Sequence, residues 1–191
     1  MYTDLKLFFD KMNPLKRLEW ELFKSNTKTK TFQKGEIITR EGQIENYLYF
    51  ISKGGTRIFY LKEGNETNID FRFENQFTSS YASFLTQTPS RQYIEAIEDS
   101  VLYAINYKAL QKMYGLSKNG ERLGRINAQD LFLEKEMHEA SLMLDTPEER
   151  FNQLFQNKKH WLQRVPQKQI ASYLNMTPET FSRIKKRSLG K

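Results

Sequence analysis

The chain is 191 residues long, 38% hydrophobic and 28% charged, with 30 Lys and Arg against 23 Asp and Glu, two His and no Cys. That length holds one large domain or two small ones, and the missing Cys excludes disulfides, thiolate zinc sites, cysteine-held iron–sulfur clusters and thiol nucleophiles. His138 and His160 are too few for a histidine-only catalytic zinc site, no apolar run approaches the ~20 residues that span a bilayer, and the first residues lack the basic start of a secretory leader, so a reduced, cytoplasmic compartment is the simplest expectation.

Residues 4–24 carry Leu5, Phe8, Phe9, Met12, Leu15, Leu18, Leu22 and Phe23 at three- and four-residue spacings, which predicts helix broken at Asn13-Pro14. From Thr31 the pattern changes to short runs rich in Ile, Tyr, Phe and Thr between glycine-containing turns. The predicted strands are Glu36–Thr39, Tyr47–Ser52, Thr56–Leu61, Thr67–Phe73, Tyr93–Ile97 and Val101–Asn106. Short strands at that spacing indicate a β-sandwich or a barrel-like roll. Tyr47, Tyr49, Phe59, Phe71, Phe73 and Tyr81 are candidates either for a cavity lining or for plain core.

Helical period returns after Tyr107. Leu123, Ile126, Leu133, Met137, Ala140 and Leu144 form one stripe, and with no Pro between Ser117 and Asp145 roughly 25 residues can make one helix nearly 40 Å long. Such a helix packs along the roll or pairs with a copy of itself, although Asp130 interrupts the stripe. Beyond it, Thr146-Pro147-Glu148-Glu149 is a strong helix start. Pro166 opens a short helix with Ile170, Ala171 and Leu174, Asn175-Met176 breaks it, and Thr177-Pro178-Glu179 starts another.

The charge follows this division. Residues 146–191 hold ten basic and three acidic side chains, a net +7 that equals the excess of the whole chain, which suggests a module that binds a polyanion. Two short helices joined by a tight turn describe a helix-turn-helix. Ala171 permits a close crossing, Asn175 accepts the left-handed turn, and the outer face of the second helix is left for a major groove. Thr177, Thr180 and Ser182 offer hydroxyls, Arg183 a fork for guanine and Glu179 an acceptor for cytosine. Gln167, Lys168, Lys185, Lys186, Arg187 and Lys191 suit backbone phosphates.

The run from Val165 to Ile184 resembles the helix-turn-helix of the Crp/Fnr family of bacterial transcription regulators. The segments Phe32-Gln33-Lys34-Gly35-Glu36-Ile37-Ile38, Glu41-Gly42, Leu48-Tyr49-Phe50-Ile51 and Lys53-Gly54 are similar to the opening of that family's cyclic-nucleotide-binding-like jelly roll. The resemblance implies an α+β fold in three parts. These are a jelly roll with N-terminal helices over residues 1–115, a dimerisation helix over 116–145, and a winged-helix-like DNA-binding domain with a reduced wing over 146–191. It further implies a homodimer on double-stranded DNA, with Glu179 and Arg183 reading bases and RNA polymerase as a candidate partner. The family's usual arginine before that glutamate is Pro178 here.

The phosphate cassette of cyclic-nucleotide-binding members has a Gly-Glu pair and, some ten residues on, an arginine. Here Ser79 and Ser80 stand where the Gly-Glu pair would be, Ser90 falls at the arginine position, and Arg91 comes one residue late. A one-residue shift in a strand reverses the side chain, so Arg91 is expected to face solvent. The leading expectation is a regulator not controlled by a standard cyclic nucleotide and carrying no cofactor or metal. A cyclic-AMP-responsive regulator of the same architecture is the alternative. A cupin-like jelly-roll enzyme is a remote third, disfavoured because residues 31–107 contain no His. Heme and iron–sulfur sensing fail on the absent Cys and on both His lying outside the roll.

Overall fold

A computed structural model describes residues 2–189, which leaves Lys191 outside the described residues. Two helices, α1 (Thr3–Met12) and α2 (Arg17–Ser25), open the chain. Strands β1 (Thr27–Phe32), β2 (Ile37–Thr39), β3 (Tyr47–Lys53), β4 (Gly55–Lys62), β5 (Asn65–Phe73) and β6 (Phe77–Thr78) follow. A short helix α3 (Tyr81–Thr86) then precedes β7 (Tyr93–Ala96) and β8 (Ser100–Asn106). The strands form two antiparallel four-stranded sheets, ordered β1-β8-β3-β6 and β2-β7-β4-β5, which is the expected jelly roll.

Strands β1 and β6 and helix α3 were not anticipated. Strand β1 reads Thr-Lys-Thr-Lys-Thr-Phe and has no apolar run. It is an edge strand paired with β8 from Thr27↔Ile105 to Phe32↔Ser100, where alternate lysines blunt an open edge. Lys30 Nζ lies 3.7 Å from the ring centroid of Tyr47, so its stem and charge are both used on the sheet.

Helix α4 (Tyr107–Leu116) leads into α5 (Lys118–Leu144), 27 residues long. The Ser117 side chain caps α5 at Gly120 N and donates to Glu19 of α2, which also accepts from Asn119. The N-terminal helices, α4 and the first turns of α5 share one core over the roll, containing Leu5, Phe9, Phe23, Phe50, Phe84, Leu110 and Leu123.

Helices α6 (Pro147–Asn157), α7 (Trp161–Arg164), α8 (Gln167–Tyr173) and α9 (Pro178–Leu189) complete the chain. The capping box at Thr146 and Glu149 forms as the sequence indicates. No strand is present among the described residues after Asn106, and the segment where a reduced wing was expected contains the single helical turn α7. This C-terminal unit has no separate core. Phe151, Leu154, Trp161, Ile170, Tyr173, Leu174, Phe181 and Ile184 pack in one cluster with Phe71, Phe73 and Ile97 of the roll.

Candidate nucleic-acid interface and effector cleft

Helices α8 and α9 are joined through Leu174–Thr177, with Asn175 in the left-handed conformation at φ 49°. Ala171, Ile170 and Phe181 are fully buried where the helices meet, and Thr177 Oγ1 accepts from Thr180 N at the start of α9. The turn is held by a residue that sequence reasoning missed. Buried Arg150 of α6 donates from Nε to Leu174 O (2.8 Å), from Nη2 to Asn175 O (3.3 Å) and from Nη1 to Asp145 O (2.6 Å). One guanidinium therefore ties the end of α5 to the α8–α9 turn, a buried cation satisfied by three carbonyls.

On α9, Glu179, Ser182, Arg183 and Lys186 are exposed, Thr180 and Lys185 are half-buried, and Arg187 pairs with Glu148 of α6. Thr177, Gln167 and Lys168 are exposed at the starts of their helices. Glu179, Ser182, Arg183 and Lys186 recur at three- and four-residue intervals and so fall on one exposed face of α9.

The long helix α5 has two faces in use. Glu134, Lys135 and His138 turn toward their own chain: Arg72 Nη2 donates to Glu134 Oε2 at 2.6 Å, Lys135 Nζ lies 3.8 Å from Asp70 Oδ2, and the His138 ring stacks on Tyr173 at 4.1 Å. Leu133, Met137 and Leu144 are 53%, 72% and 83% exposed, with exposed Ala140 between them and half-buried Ile126 toward the N-terminal end. Leu123 departs from the expected stripe. It is only 5% exposed, enclosed by α1, α2 and α4 of its own chain, because those helices cover the first turns of α5 and leave only the later ones open.

A cleft of about 520 Å³ lies between the roll and α5, lined by Phe8, Leu48, Phe77, Tyr81, Leu131 and Phe132 with Asp70, Arg72, Asp130, Glu134 and Ser79 among its polar groups. Of the aromatics considered for a cavity, Tyr81 alone lines it; Tyr49, Phe59, Phe71 and Phe73 are buried core.

Three solved structures share this arrangement. FixK2 from Bradyrhizobium japonicum superposes with a TM-score of 0.74 at 20% identity, covering 86% of each chain. A protein assigned to the Crp/Fnr family of transcriptional regulators from Eubacterium rectale gives 0.72 at 18% identity, covering 96% of this chain and 88% of that one. The c-di-GMP-responsive global regulator CLP from Xanthomonas campestris gives 0.69 at 15%, covering 92% of each. The chain has the Crp/Fnr fold. Residues 29–117 match the family model of the cyclic nucleotide-binding domain, and no curated protein matches the chain by sequence.

Within this roll the residues at the cassette positions are bonded to one another and to the backbone. Ser80 Oγ and Ser90 Oγ are hydrogen-bonded to each other at 2.8 Å, Ser90 Oγ also donates to Gln92 O, and Ser79 Oγ donates to Tyr47 O. Arg91 is exposed and does not line the cleft. Arg72, which does, is held by Asp70 and Glu134. Burial alone would raise the Asp70 carboxyl, but Arg72, and then Lys135 and Lys158, hold it below the usual carboxylate range. A second roll arginine, Arg57, is spent on Glu66 and Glu95. A buried phosphate would therefore find its hydroxyls bonded and its arginines neutralised.

The same strand β5 links this cleft to the C-terminal unit through Asp70, Lys158, Tyr173 and His138. Burial, with Lys158 adding to it, lowers the His138 pKa from 6.5 to about 4; Lys135 and Arg150 act in the same direction and Asp70 opposes. Because the unfolded chain takes up that proton first, stability should fall as pH drops from 6.5 toward 4. His138→Phe keeps the stacked ring and removes the titration. Its melting temperature should therefore change less than that of the wild type across this window, and equal slopes in thermal melts would exclude the effect.

Proposed function

We propose that the chain is a sequence-specific DNA-binding transcription regulator acting as a homodimer. On this reading α8 and α9 form a helix-turn-helix, α9 reads the major groove, and α5 pairs with its two-fold copy. The observation that carries it is the exposed face of α9, where Glu179, Ser182 and Arg183 stand together beside Lys186 at an accessible helix start. Arg183 and Glu179 supply the fork and the acceptor that base edges require. Lys168, Lys185 and Lys186 supply phosphate contacts, so affinity should fall steeply with salt. Cytoplasmic location and contact with RNA polymerase accompany this reading.

The regulator is proposed not to respond to a standard cyclic nucleotide, on the strength of the internally bonded Ser80–Ser90 pair and the neutralised Arg72. The match of residues 29–117 to the cyclic nucleotide-binding domain favours a second reading, control by cyclic AMP through the 520 Å³ cleft. Selection of bound duplexes from a random library, followed by footprinting at several salt concentrations, tests the first claim; binding without sequence preference refutes it. Calorimetry with cyclic AMP and cyclic GMP at millimolar concentration separates the two readings, since measurable heat supports only the second.

A further inference from the structure

The C-terminal unit follows α5 through Asp145–Thr146, and no wing braces it among the described residues. Beyond the apolar cluster it shares with Phe71, Phe73 and Ile97, polar side chains hold this unit to the roll at two points. The first is Arg164 at the end of α7. Its Nε and Nη2 donate to the two oxygens of Glu98 at 2.9 and 2.6 Å, its Nη1 and Nη2 to those of Glu74 at 2.6 and 2.9 Å, and its Nη2 to Gly54 O at 3.2 Å. Its guanidinium also lies 4.2 Å from the ring centroid of Phe73.

Gly54 is in the β3–β4 connection, Glu74 in the β5–β6 connection and Glu98 in the β7–β8 connection, so three crossings between the two sheets converge on one side chain. Gly54 is needed there: at φ +90° any side chain is strained, and a Cβ would run into Ser100 and the Asp99 carbonyl. The second point is Ser172 of α8, whose Oγ accepts from Asn68 N at 3.0 Å and donates to Glu66 O at 3.2 Å. These are outward-facing backbone groups of β5, the edge strand of its sheet. Together with the shared apolar cluster, these two separated polar attachments fix the orientation of the C-terminal unit on the roll.

We propose that Arg164 is a positioning residue for DNA recognition: by pinning the C-terminal unit to the inter-sheet connections of the roll, it fixes the separation of the two α9 helices in the dimer and therefore the half-site spacing of the operator. The proposal rests on the reading of the protein as a dimeric regulator. Half-site spacing mirrors the geometry of the two reading helices, and a pre-oriented pair binds without the ordering cost of two swivelling units.

The experiment is an affinity series on the selected operator with one or two base pairs inserted or removed at its centre. The wild type should show a sharp optimum. Arg164→Gln, and separately the double change Glu74→Gln with Glu98→Gln, should bind the optimal operator roughly tenfold more weakly, with a flattened spacing profile and unchanged affinity for an isolated half-site. The double variant alters only the roll, so it keeps the test valid if Arg164→Gln fails to fold.

A second measurement needs no DNA. The chain has no Cys, so spin labels at Ser188→Cys and Lys34→Cys, in protomers diluted with unlabelled protein, report one intrachain distance. It should be narrow in the otherwise wild-type protein and broad in either variant. Wild-type spacing profiles or equally narrow distances in both variants overturn the positioning role while leaving the regulator reading intact. Absence of any sequence-selective binding by the wild type overturns the regulator reading and the positioning role with it.

Discussion

Met137→Glu is expected to leave α5 helical and turn the protein monomeric. Met137 is 72% exposed and sits between Leu133 and Leu144 on the face of α5 that its own chain does not cover. Residues 126, 133, 137, 140 and 144 fall at the seven-, four- and three-residue intervals of a two-helix seam. A two-fold pairing on that face would bury one unpaired carboxylate from each protomer. Each such burial costs several kcal/mol, so self-association should weaken by roughly 100-fold or more. Operator affinity should fall with it, since each half-site is then bound without the gain of linkage, which is on the order of 10²–10⁴. Sedimentation equilibrium and operator titration read the two effects, and circular dichroism checks the helix. A dimer that persists with unchanged operator affinity would place the interface elsewhere.

Trp161→Ala is expected to cause the largest loss of stability. The indole is 3% exposed and packs edge-on against Phe71 and Tyr173, each at 5.0 Å between centroids, with Lys158 Nζ 4.5 Å from its own ring. Large-to-small changes of buried aromatics cost about 3–5 kcal/mol, a sizeable fraction of the 5–15 kcal/mol that holds a typical domain folded. Because Trp161 joins Phe71 and Phe73 of the roll to the C-terminal helices, the loss should appear as an earlier transition of the C-terminal unit in denaturant melts. Trp161→Phe should retain much of the stability, and a variant melting like the wild type would show that the cluster does not couple the two parts. The ionic pin beside it has its own signature. Burial raises the Glu74 carboxyl, but hydrogen bonds from Arg164 prevail and hold it down to about 2 from its ordinary 4.5. Its contribution is therefore complete above pH 4.5 and disappears as pH falls toward 2.

The Crp/Fnr fold was legible in the sequence where structure is made locally. The capping box at Thr146, the left-handed Asn175 and the uninterrupted α5 depend on residues a few positions apart, and the structure contains each of them. The roll was legible through its apolar strands and glycine turns, whereas β1 escaped notice because it has alternating lysines on an edge that needs no apolar face. Within the candidate effector region, Arg91 is exposed, but it precedes β7 in a bend, so the strand parity expected from the sequence does not apply to it. The mutual bonding of Ser80 and Ser90 was not legible, since nothing in the sequence says which hydroxyls will meet.

By itself the sequence determined the order of the parts, the basic C-terminal module, its two-helix spacing and the exclusion of thiol and histidine-rich metal chemistry. Residue type, period and capping act over one or two turns of chain, so they can be read without coordinates. Only the tertiary structure decided that Leu123 is enclosed by its own chain and that Arg150 braces the α8–α9 turn. It alone showed the C-terminal unit pinned to the roll. Arg164 meets Glu98, Glu74 and Gly54 across 66, 90 and 110 residues of chain. Partners that far apart are chosen by how the sheets and helices pack, and neither a charge count nor a hydrophobic period carries that information.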